Sequence, residues 1–355
     1  MKVNRPVPSA ALAAWVLAAA LLVACAPQGL PGDTPDARSL AAAELGVNGA
    51  NENIPPLVEA LRRDQEMVQI QAATSLGRIG TVEAVAALSE FIDADSRLVR
   101  QAVAQALRDV DPSAYPQAAE VLVEMGKKTL PQGPDKDPDL LVRAAVVTSL
   151  AVVQQPVGVE FLVERLEKDA DEGIRNAAVQ TLGRLGDPRA VDVLIDVFHT
   201  DNQKNRSWAV EALGEIGDER GRKVILEALE DFDPVCRGKA AWALMQMDGE
   251  KAAPVLTERL AVEEDDMPAV VMAHALALLG RKEAVPFLED RALHARDNFA
   301  RAEAARVLGE VGRKETISVL DRAFREDRDG LVQREAAVAI KKLLARFPSD
   351  GSDAG

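Results

Sequence analysis

Few side chains in this sequence carry reactive chemistry, and their spacing limits what they can do together. There are three histidines, His199, His274 and His294, and two cysteines, Cys25 and Cys236. No Ser-His-Asp or Cys-His arrangement, Cys-x-x-Cys or glycine-rich phosphate loop accompanies them. Two cysteines make no disulfide framework, and three histidines leave little for metal or proton chemistry. No cofactor is expected. The balance of 57 Asp plus Glu against 42 Lys plus Arg gives a charge of −15 over 355 residues. Nucleic-acid binding requires a basic face to neutralise phosphates, so that class of partner is excluded.

Cys25 has a different context. Lys2 and Arg5 precede an apolar run from Ala10 to Ala24, too short to span a bilayer but suited to a secretory signal over 1–24. The run closes on Leu22-Val23-Ala24-Cys25, which resembles the lipobox of bacterial lipoproteins. The resemblance implies that Cys25 is lipidated and begins the mature chain. More than one acyl chain anchors stably, so an exported, membrane-bound protein is expected. In a two-membrane cell Ala26 is not the Asp that retains lipoproteins at the inner membrane, which points to the periplasmic side of the outer membrane. Residues 25–53 hold Pro27, Pro31, Pro35 and four glycines and read as a flexible tether, with room for one short helix around Ala37 to Leu45. Cys236 is then the lone remaining thiol, expected as a small buried residue at a helix start.

These residues are set in a repeat. One frame returns around Leu76, Leu107, Leu150, Leu182, Leu213, Leu244, Leu276, Leu308 and Ile340, at spacings near 32 except one of 43. A fixed period in this range predicts a solenoid of stacked units. Apolar or small residues stand at −8, −4, 0 and +3 from each anchor, which is helical spacing. Gly80, Gly186, Gly217, Gly280 and Gly312 follow at +4, where a left-handed C-cap is expected. Gly77, Gly183, Gly214 and Gly309 recur inside the helix at +1, predicting close approach of a neighbouring helix. Asp at −11 (Asp139, Asp171, Asp233, Asp265, Asp297, Asp329) and Arg at −7 (Arg100, Arg143, Arg175, Arg206, Arg237, Arg301) read as helix caps and ion-pair partners rather than an anion-binding row.

The string Ile174-Arg-Asn-Ala-Ala-Val-Gln-Thr-Leu-Gly-Arg-Leu-Gly186, with its counterpart at 205–217, resembles the short HEAT repeats of the phycobilisome-lyase type. The resemblance implies an all-α fold: an α-solenoid, or superhelical array, of about nine two-helix HEAT-like repeats over 54–345. The longer spacing places an inserted loop at 127–138, and 346–355 reads as a disordered tail. Such arrays include a di-iron hydroxylase whose ligands are His-Glu pairs. Here Thr200, Ala275 and Ala295 follow the histidines, so that ligand set is missing and no metal site is expected.

The expected function is a lipid-anchored scaffold that holds a protein or peptide on the concave face of the solenoid, not an enzyme. A lyase-type enzyme in the same groove and a structural envelope component are the alternatives. At 100° per residue, Trp208 at −5, Trp242 at −2 and His274 at −2 point away from the core. With Glu211, Glu215, Lys239, Gln246 and Arg306 they form the candidate partner-binding set. The competing reading is that both tryptophans pad the seam between helices.

Overall fold

The computed structural model describes residues 29–47, 49–111, 115–128, 139–153, 155–200 and 203–348, and among them it contains helices and no strands. The chain divides into two compact units, 1–189 and 190–355. In the first, α1 (Pro35–Val47) precedes four helix pairs: α2 (Ile54–Arg63) with α3 (Glu66–Ile79), α4 (Val82–Ser89) with α5 (Arg97–Arg108), α6 (Gln117–Lys128) with α7 (Leu140–Val153), and α8 (Val159–Lys168) with α9 (Glu172–Leu185). In the second, α10 (Val191–Thr200) pairs with α11 (Gln203–Ile216), α12 (Arg222–Ala228) with α13 (Pro234–Asp248), α14 (Ala253–Leu260) with α15 (Asp266–Leu278), α16 (Ala284–His294) with α17 (Asn298–Val311), and α18 (Thr316–Glu326) with α19 (Gly330–Arg346). This is the all-α solenoid that the period predicts.

Within each unit the second helices of successive pairs stack on one another: α3, α5, α7 and α9 in the first, α11, α13, α15, α17 and α19 in the second. The leucine anchors face inward and are almost wholly buried, Leu107 and Leu244 at 0% exposure and Leu213 at 1%. Each such burial contributes about 1.5–3 kcal/mol. The glycines at +1 are the reason the stack is tight. A Cβ on Gly77 would lie 2.7 Å from Ala106 Cα, one on Gly214 2.7 Å from Ala243 Cα, and one on Gly309 2.9 Å from Ala339 Cα.

The second helices begin where the aspartates say they should. Asp171, Asp233, Asp297 and Asp329 each accept hydrogen bonds from backbone N–H groups in the first turn. Asp265 makes no such bond and instead accepts from Arg237 at 2.5 Å. Gly80, Gly186, Gly217 and Gly280 end their helices with φ from 63° to 75°. Gly312 departs from that expectation: its backbone is extended, and a Cβ there would strike the Leu308 carbonyl oxygen. Close approach, not left-handed φ, requires that glycine.

The arginines at −7 tie one turn to the next. Arg237 donates to the Asp231 carbonyl of its own turn, and to Glu263 and Asp265 of the following one. Arg301 repeats this with Ala295 and Asp327, and Arg206 pairs with Asp231. In the first unit Arg143 and Asp169 are paired with both side chains at 0% exposure. The row is internal structure, as its regularity implies.

Within the expected tether, the short helix placed around Ala37 to Leu45 is α1, which extends over Pro35–Val47. Thr34 caps α1 by accepting from the Ala37 N–H, and Arg38 forms a bidentate pair with Asp64 at 2.7 and 2.8 Å. Ala42 and Gly46 are buried, and Gly46 lies where a Cβ would meet Ser75 of α3 at 2.7 Å. The prolines and glycines flank an alanine-rich segment that packs as one more second helix. Lys127 and Lys128, placed at the start of the inserted loop, instead close α6, where Lys128 pairs with Asp93. Arg346 likewise belongs to α19. The signal segment, Cys25, loop residues 129–138 and tail residues 349–355 lie outside the described residues.

Candidate partner-binding groove

Gly238 sits one turn inside α13, after the Asp233 cap and Pro234 at the helix start. A glycine there costs about 1 kcal/mol against alanine. Unlike the seam glycines it has no packing reason to lack a Cβ. A Cβ would meet nothing nearer than Pro268 Cα and Val271 Cγ2, at 3.8 Å. The missing side chain opens a groove of about 240 Å³ between α11, α13 and α15. Pro234, Val235, Trp242, Met267, Pro268 and Val271 supply apolar lining, and Glu211, Lys239 and Gln246 supply polar groups. Lys239 pairs with Glu211, which joins α11 to α13 across the groove.

Trp242 is half-buried and rests against His274, with ring centroids 5.2 Å apart and tilted by 48°. His274 is 7% exposed, and its Nε2 has no hydrogen-bond partner. Burial pushes its pKa below the ordinary value, against the opposing pull of the Glu310 carboxylate 3.7 Å away. Arg306 donates to Glu303 at 2.6 Å and to Glu310 at 2.7 Å, and its guanidinium holds the Glu303 carboxyl below the usual range.

The eight expected residues therefore divide. Glu211, Lys239, Trp242 and Gln246 line the groove. His274 and Arg306 are not among its lining residues; His274 is covered rather than outward-facing, with Trp242 against its ring. Trp208 is half-buried and Glu215 exposed, both on α11 and neither among the groove's lining residues. The groove can take an apolar side chain and fix it with polar groups at its mouth. Cys236 is fully buried nearby, and burial together with Asp231 and Asp233 pushes its thiol up to about 12. Among the described residues no group of three or more His, Cys, Asp or Glu is placed to hold a metal ion.

The model for HEAT repeats matches residues 28–108, 66–132, 128–213, 198–273 and 268–341. The chain belongs to the HEAT repeat family. No curated protein matches this HEAT-repeat chain in sequence. Among solved structures, yeast importin-β (Kap95p) is 13% identical, with a TM-score of 0.56 over 95% of this chain and 53% of its own. Kap121p, solved bound to Nup53p, is 13% identical with a TM-score of 0.51 over 97% and 42%. Both show the fold. The CpcE–CpcF phycocyanin lyase complex from Nostoc is 18% identical over 79% of this chain and 97% of its own, at a TM-score of 0.37.

Sequence reasoning missed Gly238, Val235 and Met267. A signal for the last two exists in the HEAT period. The second residue of each second helix, nine before the anchor, is Met67, Leu98, Leu141, Gly173, Lys204, Val235, Met267, Phe299 or Leu331. Seven of the nine are apolar, and Val235 and Phe299 are 58% and 61% exposed. A core position would be buried, so this column faces solvent for another reason.

Proposed function

We propose that this HEAT-repeat protein is a lipid-anchored scaffold outside the cytoplasm that captures a protein or peptide on its second-helix face. The observation that carries the reading is Gly238. A helix-weakening residue stands where packing would admit a Cβ, and it lines an apolar groove together with Trp242. An aromatic at the edge of an apolar groove with polar groups at the mouth is the composition of a binding hot spot. Cys25 behind an apolar leader supports the anchor, and among the described residues no helix is long and apolar enough to cross a membrane.

Affinity capture from solubilised membranes tests both halves. Gly238→Leu extends a side chain into the groove from a position where a Cβ would already touch Pro268 and Val271; with folding checked by circular dichroism, it should abolish capture of a stoichiometric partner. Unchanged capture by a folded Gly238→Leu protein defeats the groove reading. Cys25→Ala should move the protein from the membrane to the soluble fraction, and retention in the pellet defeats the anchor.

A further inference from the structure

Val235, Met267, Phe299 and Leu331 are the second residues of α13, α15, α17 and α19, four helices that stack in order within one unit. Val235 and Phe299 are exposed, and Met267 and Leu331 are half-buried. Val235 and Met267 also line the groove, so the row and the groove are one surface. Stacked helices lie about 8–10 Å apart. An extended chain advances about 3.3 Å per residue and a polyproline II chain about 3.1 Å, so every third side chain recurs at about 9–10 Å. One apolar residue in three therefore matches one helix of this stack.

The ground beside the row is acidic. The turns 229–236, 261–268, 293–300 and 325–332 hold eleven Asp and Glu against three Arg. Arg206, Arg237, Arg259, Arg291 and Arg301 reach in to pair with some of these carboxylates, and acids still outnumber bases. An anionic lipid surface is repelled by such a border, while lysines or arginines flanking apolar residues are attracted.

We propose that the second-helix face takes an extended peptide with an apolar side chain at every third residue and basic residues between. The apolar side chains sit on Val235, Met267, Phe299 and Leu331, and the one at Val235 and Met267 enters the Gly238 groove. The proposal rests on the scaffold reading and specifies its occupant.

The test uses two labelled peptides of one composition: four Leu-Lys-Pro triplets, and an isomer with its leucines at alternate positions. Fluorescence anisotropy with the intact protein should show the triplet peptide binding about tenfold or more tightly than the isomer, and weakening as salt rises. Phe299→Ser, at an exposed site where folding is checked by circular dichroism, should lose about tenfold for the triplet peptide only. Equal binding of both peptides, or an unaffected Phe299→Ser protein, overturns the register. Failure of both peptides to bind at millimolar concentration also overturns it; if Gly238→Leu still abolishes partner capture, the groove reading stands. Flotation with phosphatidylcholine vesicles that requires Phe299 would assign the row to lipid and overturn the peptide.

Discussion

Gly214 on α11 and Gly238 on α13 stand on neighbouring helices of one unit and make opposite use of a missing side chain. At Gly214 the space is filled by Ala243 of α13, so the glycine brings two helices together. At Gly238 the space stays empty, and the glycine holds a groove open. Both weaken their helices by similar amounts. Only the first recovers that cost through packing. A residue that costs stability and returns none in the isolated chain is the mark of a surface shaped for something else.

Three measurements can break or sharpen the contrast. Gly214→Ala forces a Cβ against Ala243 and should cost about 1–3 kcal/mol in denaturant unfolding; an unchanged midpoint would mean the seam is loose. Gly238→Ala, with no contact closer than 3.8 Å, should stabilise by up to about 1 kcal/mol. A loss there would show that the two glycines do the same job. The smallest effect concerns His274, which lies against Trp242. Burial lowers the pKa of His274, so the unfolded chain binds that proton more readily than the folded one. Stability from the neutral ring is full above the unfolded value of about 6.5, and falls as pH drops below it towards the lower folded pKa. His274→Leu should flatten this part of the decline between pH 7.5 and 5.5, read as the difference in unfolding midpoint. A slope equal to wild type would mean that His274 is not held neutral beneath Trp242.

The architecture was legible because a solenoid makes most of its contacts between adjacent repeats, so the period of the sequence is the period of the structure. Leucine anchors, Asp caps and +1 glycines each recur, and recurrence made them visible. Trp242 stood out for the opposite reason: it breaks a column of mostly polar residues at −2. Gly238 did not, because its meaning lies in Met267 and Val271 on the next helix leaving space in front of it. His274 was misplaced by rotation angle alone, which gives a direction from the helix axis and not what covers it. The helix at Pro35–Val47 was legible around Ala37 to Leu45, between prolines and glycines that set its limits; its packing on α3 was not.

The arginine row has a consequence for how such a chain can change length. Arg143 finds its carboxylate in Asp169, Arg237 in Glu263 and Arg301 in Asp327, each 26 residues ahead, and Arg206 finds Asp231 25 ahead. A repeat with this arginine and carboxylate thus carries a plug for its successor and a socket for its predecessor. A tandem copy of one repeat arrives with both already made, and the joints on either side close with the bonds they had before. The array can grow or shrink by whole copies without inventing a new interface. Every copy gained adds one more helix start to the array, so gene duplication sets its length.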